Sequence, residues 1–311
     1  MSSGKPNTTT TEPSATVPLS TDFCADDADV IIRTAGTLDF HAHKVILSLV
    51  SPIFKDMFTL PQSPSVTPGT LPRVDVQDSA KAWELILRTI YPTLPNPPID
   101  TLDDLESLLF AAQAYEMQPV IEAHKKAFEH RAFIEADPLR LYAIACACGF
   151  EDQATYVARN AELVTVTRRS NPSGLKGFSF GAYHQLVSFL VDRDNEWHRV
   201  LEVARVSECY SLSCEPPSHS AQSLYDDIKK HLRRPCLQTE EIYLKALEGR
   251  SKSGCYTSCP FENIKIKGFI QRWIQKREQV CDQFQPAQWY CESPTTPCLN
   301  PPVDIIFIRF T

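Results

Sequence analysis

The sequence has no long apolar run and no excess of positive charge. No stretch approaches the roughly 18–20 apolar residues of a membrane-spanning helix. The first 22 residues are polar and lack the apolar centre of a signal peptide, so we expect a cytoplasmic or nuclear protein. The formal net charge of -7 argues against nucleic acid and anionic membranes as partners.

Signatures of common enzymes are also absent. The sequence contains no Gly-rich phosphate loop, no nucleophile elbow and no His-Glu-x-x-His motif. Its carboxylates are scattered, and no pair has a spacing that assigns acid and base roles. The hydrophobic fraction of 43% and the charged fraction of 22% are typical of a soluble globular protein. We therefore expect a protein that is not an enzyme and that uses no cofactor or small-molecule substrate.

Cysteine is plentiful but shows no standard pattern. The chain has 11 cysteines, and an odd number without a secretion signal argues against a full disulfide framework. Eight of them follow residue 208, where Cys209 and Cys214, and Cys255 and Cys259, form loose pairs. Neither pair has the Cys-x-x-Cys spacing typical of zinc modules. We favour a C-terminal region with free thiols, and zinc binding by this region remains an alternative.

The residues after position 28 predict a small sheet followed by helices. A short apolar run at 30–32, a turn at 35–37 and an alternating segment at 38–40 predict a β-hairpin. A helix opens near His43, and Ser51-Pro52 predicts the start of a second one. A strand near 74–76 completes an α+β domain, with a short three-stranded sheet flanked by helices.

Composition and periodicity divide the chain into four regions. Residues 1–22 are rich in Thr, Ser and Pro and predict a disordered tail. The α+β domain spans 23–133, and helices alone follow over 134–206. The last region, 207–311, is Cys-rich and partly irregular. Within it, residues 265–277 (KIKGFIQRWIQKR) predict a basic amphipathic helix, either an ordinary one or one that contacts a partner, a membrane or nucleic acid.

The hairpin and the first helices carry a specific resemblance. The segments DADVII and LDFHAHKVILSLVSPIFKDMF resemble the core of BTB/POZ domains, and the longer pattern is similar to that of fungal BTB domain-containing proteins. The matching residues are Asp29, Val30, Phe40, His43, Lys44, Leu47, Ser48, Ser51, Phe54 and Phe58. The resemblance implies the BTB/POZ fold over 23–133 and a BACK-like helical extension over 134–206.

The resemblance also implies self-association as a homodimer. BTB domains commonly pair through the N-terminal strand and first helix, and a two-fold dimer uses the same patch twice. Those positions here are Val45, Ile46, Leu49 and Val50, which could instead belong to the core of one domain. The opposite charges of Asp29 and Lys44 match a charged pocket at the dimer interface, or they are two unrelated surface charges.

Two histidines precede the first helix. His41 and His43 are metal ligands in type, but no Cys or acidic residue stands at ligand spacing nearby. We interpret them as structural and predict no metal site there.

These features predict a protein-interaction module. The resemblance implies an adaptor that binds a cullin scaffold of a ubiquitin ligase, although no kelch, MATH or ankyrin repeat is present to recruit a client. The alternative is a transcription-related BTB regulator whose Cys-rich region binds zinc. A third possibility is a module that only oligomerises, which requires nothing beyond a dimer contact.

Overall fold

The structure is a computed structural model that describes ten segments of the chain. They are residues 17–35, 38–60, 71–92, 98–168, 175, 178–209, 227–228, 230–231, 237–248 and 260–283. The described residues fall into two compact units, one formed by 17–98 and 107–123 and the other by 99–106 and 124–283. Among these residues, no helix is both long enough and apolar enough to cross a membrane.

A three-stranded sheet in the order β2-β1-β3 lies in the first unit. Strand β1 is Val30–Thr34, β2 is Leu38–Ala42 and β3 is Arg73–Val76. The hairpin partners β1 and β2 are antiparallel, whereas β3 runs parallel to β1. Alternate residues of β1 are fully buried and those between them are half-buried, so the sheet has one face toward the core.

Helices of the first unit begin where the sequence signals predict. The Ser51 side chain accepts a hydrogen bond from the amide of Phe54, and Pro52 occupies the first helical position. The Ser79 side chain caps the third helix in the same way through the amide of Ala82. The helices are α1 (Lys44–Val50), α2 (Pro52–Thr59), α3 (Ala80–Ile90), α4 (Leu102–Ala114, with residues in both units) and α5 (Gln118–His124).

An aromatic cluster fills the core of the first unit. The Phe54 ring contacts Trp83 edge-on at a centroid distance of 5.8 Å and lies 5.2 Å from Tyr115. Trp83 and Phe54 are fully buried, and Tyr115 is nearly so. Burial raises the pKa of the Tyr115 phenol, and Asp78 beside it raises it further. The cluster packs α2 against α3 and against Tyr115, which follows α4.

The second unit is helical. Asp-Pro is a sequence signal of a helix start, and here the Asp137 side chain accepts from the amide of Arg140 while Pro138 is the first helical residue. Gly149 ends that helix with a φ of +69°, a conformation that glycine adopts without strain. The elements are a short 3-10 helix (Lys125–Glu129), α6 (Arg131–Ala136), α7 (Pro138–Ala147), α8 (Glu151–Asn160), α9 (Leu163–Arg168), α10 (Phe180–Cys209), α11 (Thr239–Glu248) and α12 (Pro260–Gln283).

The basic amphipathic helix predicted over 265–277 lies within α12. Its apolar residues Ile270, Trp273 and Ile274 are all less than 7% exposed, so this face is buried inside the chain. The Lys267 ammonium bonds the carboxylate of Glu240 in α11 at 2.8 Å. These contacts fit the interpretation of an ordinary amphipathic helix.

Several predictions fall on residues outside those described. Residues 1–16 of the predicted tail lie there, as do the side chains of the eight cysteines from Cys209 onward. Residues 17–22 are described, and some of them hydrogen bond to β2. The zinc-binding alternative therefore stays a prediction.

Candidate functional site: the exposed face of helix α1

Two apolar side chains of α1 project into solvent. Val45 is 64% exposed and Leu49 is 79% exposed. Residues four apart lie one above the other on a helix, so the two side chains form one apolar patch. Leu47, on the opposite face of the helix, is fully buried.

The remaining apolar residues of α1 border this patch. Ile46 and Val50 are half-buried, so each divides its surface between the core and solvent. The four residues predicted to form a subunit contact therefore differ in burial: two are exposed and two are half-buried. Val45 and Leu49 contribute little to the core of their own domain, whereas Ile46 and Val50 are partly buried in it.

Asp29 and Lys44 are in contact, but not through their charges. The Asp29 carboxylate accepts a hydrogen bond from the backbone amide of Lys44 at 2.7 Å. The first amides of a helix have no partner within it, so Asp29 satisfies one of them and places a negative charge at the positive end of α1. The Lys44 ammonium lies 5.7 Å from the centroid of the Phe58 ring. The charged dimer pocket stays a prediction.

His43 joins three segments of the domain at the start of α1. Its backbone amide donates to the Tyr91 hydroxyl at 3.0 Å, and its Nδ1 lies 2.9 Å from the same oxygen. Its Nε2 lies 3.3 Å from the Asp27 carboxylate. With Nε2 as donor to Asp27 and Nδ1 as acceptor from Tyr91, both ring nitrogens and the Tyr91 hydroxyl have hydrogen-bond partners. Tyr91 ends α3, and partial burial raises the pKa of its phenol.

The second histidine has a separate environment. His41 Nδ1 lies 3.4 Å from the backbone oxygen of Ala25. Within the described segments, no group of three or more His, Cys, Asp or Glu side chains is arranged to hold a metal ion. The contacts of both histidines are those of hydrogen-bonded structural residues.

The arrangement of the sheet and helices has a counterpart among known families. A family model of the BTB/POZ domain matches residues 22–132. Residues 22–132 form a BTB/POZ domain. The short three-stranded sheet flanked by helices is the BTB/POZ fold, and the expected domain boundaries of 23–133 stay a prediction.

BTB/POZ domains are protein-interaction modules, so this chain carries a protein-interaction module. The match ends at residue 132, and the BACK-like character of 134–206 stays a prediction. A search of curated proteins finds no match to the chain.

The sequence did not reveal two residues that organise the start of α1 in the BTB/POZ domain. Asp27 lies between Asp26 and Ala28-Asp29, and nothing in its spacing distinguishes it from the other two aspartates. Tyr91 lies 48 residues after its partner His43, beyond the reach of any local pattern. Because proline cannot continue a helix, Tyr91-Pro92 predicts the end of α3, where the structure has it, but not the contact of Tyr91 with His43.

Proposed function

We propose that the BTB/POZ domain self-associates through the exposed face of α1. The supporting observation is the exposure of Val45 and Leu49, at 64% and 79%, on one side of a helix whose other side is buried. Burying a Val or Leu side chain is worth about 1.5–3 kcal/mol. A two-fold axis beside α1 buries the pair from each copy against its equivalent, so four side chains contribute.

Sedimentation equilibrium of the full chain tests this proposal. We expect a dimer for the wild-type chain and a monomer for the Val45→Glu/Leu49→Glu variant, because two carboxylates per copy would face each other across the interface. Val164→Glu is the matched control, since Val164 is an exposed apolar residue (54%) on another helix. This control should remain dimeric. A wild-type chain that stays monomeric at high concentration would refute the proposal.

Binding of a cullin scaffold is a more specific expectation, and it comes from the resemblance alone. A pull-down of the full chain with a cullin scaffold, at concentrations at which the chain is dimeric, checks it, and recovery of no scaffold would reject the adaptor function. Metal analysis of the purified chain tests the alternative, a transcription-related regulator with a zinc-binding C-terminal region. The cytoplasmic or nuclear location stays a prediction as well.

A further inference from the structure

The outer edge of β2 is occupied by residues 18–23 of the same chain, which we call the strap. The backbone oxygen of Pro18 accepts from the Asp39 amide at 2.9 Å, and the amide of Ser20 donates to the Asp39 oxygen at 2.8 Å. Leu19 thereby forms a parallel bridge with Asp39. Farther along, the His41 amide donates to the Phe23 oxygen at 2.9 Å. The outward backbone groups of Asp39 and His41 are thus hydrogen-bonded to the strap, through one parallel bridge and one further bond.

One aromatic side chain holds the strap in place. Phe23 is only 4% exposed, and its ring contacts Phe40 edge-on at 5.9 Å and Tyr91 at 5.6 Å. Directly before it, Asp22 forms an ion pair with Arg88 of α3. The strap therefore presents an acidic residue followed by an aromatic one, and the domain provides a cation and an aromatic slot at matching positions.

Apart from Phe23, the side chains of the strap are largely outside the core. Leu19 is 42% exposed, and Thr21 and Asp22 are exposed. A segment with few buried contacts opens at a low free energy compared with the core. The receiving edge, by contrast, belongs to a firm hairpin, because the Asp39 carboxylate is held by the Arg33 guanidinium at 2.5–2.6 Å. The edge of β2 is therefore well ordered, whereas the segment that covers it has few buried side chains. Such a segment can be replaced by another peptide.

We propose that the outer edge of β2 is a binding site for an extended peptide of a partner protein, and that the strap covers this site until it is displaced. The peptide pairs with the backbone of Asp39 and His41, places an aromatic residue against Phe40 and Tyr91, and places an acidic residue next to Arg88. Backbone pairing supplies affinity and the two side-chain positions supply specificity, as in other cases of strand addition. The site does not depend on self-association through α1.

Fluorescence anisotropy of a labelled peptide tests the site. The peptide carries residues 17–25 with serine in place of Cys24, and it is titrated with the full chain. In the wild-type chain the strap competes, so the apparent affinity is reduced by the fraction of molecules in which the strap is open. In the Phe23→Ala chain the strap loses its aromatic contact, and we expect the peptide to bind at least about tenfold more tightly.

Two altered peptides check the specificity. A peptide with Ala in place of Phe23 should not bind, and one with Asn in place of Asp22 should bind a few-fold more weakly. Absence of binding to a folded Phe23→Ala chain, or equal binding of all three peptides, would overturn the proposal.

A second variant is available in case the Phe23→Ala chain does not fold. If thermal melting shows that Phe23→Ala is unfolded, Asp22→Asn carries the test, because the Asp22 side chain is 42% exposed and its replacement leaves the core intact. We expect a two- to threefold gain in peptide affinity for this variant. The competing possibility is that the strap of a second copy occupies the edge of β2, so that two copies exchange straps. In that case loosening the strap would convert a wild-type dimer to a monomer, and this outcome would also overturn the proposal.

Discussion

The Asp29 carboxylate accepts a hydrogen bond at 2.7 Å from the backbone amide of Lys44, so the residue before β1 caps helix α1. His43 is the N-cap residue of α1, but its side chain accepts no hydrogen bond from the helix amides and instead contacts Asp27 and Tyr91. A helix of only seven residues depends on such outside contacts, because short helices are marginal alone. The helix that presents Val45 and Leu49 is therefore held at its first turn by two aspartates and a tyrosine from other segments.

Replacing Asp29 tests this cap. We expect Asp29→Ala to lower the free energy of unfolding by about 1 kcal/mol, as for the loss of other N-terminal caps. Asp29→Asn should retain most of the stability, since the Asn side-chain oxygen also accepts from an amide. Urea denaturation of the two variants beside the wild type gives the comparison. Equal losses for Ala and Asn would show that the charge of Asp29, and not its hydrogen bond, stabilises the fold.

The features predicted correctly are those coded by neighbouring residues. Ser51-Pro52 and Asp137-Pro138 are typical signals of a helix start and Gly149 of a helix end, and each sets that end through contacts within four residues. The residues from Phe150 to Leu163 predict one continuous helix, and that prediction is wrong. The helix α8 ends at Asn160, and α9 begins at Leu163.

The features that escaped prediction join distant parts of the chain. The parallel pairing of β1 with β3 brings Ile31 beside Arg73, and the periodicity of either strand is compatible with both directions. The bond between His43 and Tyr91 and the pairing of the strap with Asp39 depend equally on tertiary structure. The resemblance pointed to the apolar residues of α1 as a subunit contact, whereas the residues alone left core and interface equally open. The subunit contact stays a prediction.

Ser51 provides a second test of how α1 and α2 are positioned. Its hydroxyl accepts from the Phe54 amide at 3.1 Å and donates to the backbone oxygen of Tyr115 at 2.5 Å, and the residue is 1% exposed. Ser51→Ala removes both bonds and leaves two buried groups unsatisfied. We expect a loss of about 2–3 kcal/mol, more than a surface cap would cost.

Ser79 offers a matched control for Ser51. It caps α3 with the same geometry, at 3.1 Å from the amide of Ala82, but it is exposed. Ser79→Ala should cost about 1 kcal/mol, the typical value for a cap alone. Chemical denaturation of both variants measures the difference. If the two losses are equal, the bond from Ser51 to Tyr115 adds nothing to the stability.

A buried arginine stabilises the second unit. Arg193 of α10 is fully buried, and its guanidinium donates to the backbone oxygens of Ala158 and Arg159 at 3.3 and 3.1 Å. It also bonds the Asp194 carboxylate and lies 4.3 Å from the Trp197 ring. The last carbonyls of a helix have no partner within it, so Arg193 satisfies the end of α8 from a different helix.

Truncation of Arg193 should therefore be costly. We expect Arg193→Met to lower the free energy of unfolding by about 3–5 kcal/mol, because carbonyl groups and a carboxylate lose a buried partner. Arg199→Met is the control, since Arg199 is an exposed arginine of the same helix and bonds only Glu196 in the described contacts. Hydrogen exchange should show lost protection in α8 for the first variant alone. Unchanged protection of α8 would contradict the capping role.

The two cysteines near the end of α7 should be unreactive in the folded chain. Burial raises the pKa of the Cys146 thiol to about 11, and burial together with Glu106 raises the pKa of Cys148 to about 12. The thiolate is the reactive form, so at pH 8 only about one Cys146 in a thousand is reactive. Cys24 is exposed and provides the comparison within the same molecule.

Alkylation with iodoacetamide followed by peptide mass mapping measures the difference. We expect Cys24 to be labelled first at pH 8, and Cys146 and Cys148 only when the chain is unfolded in urea. A raised pKa in the folded state also means that the unfolded state loses its thiol protons first as the pH rises. The free energy of unfolding should therefore fall above about pH 9, and it should fall less in a Cys146→Ala/Cys148→Ala variant. Labelling of all three thiols at one rate under native conditions would contradict the burial of α7.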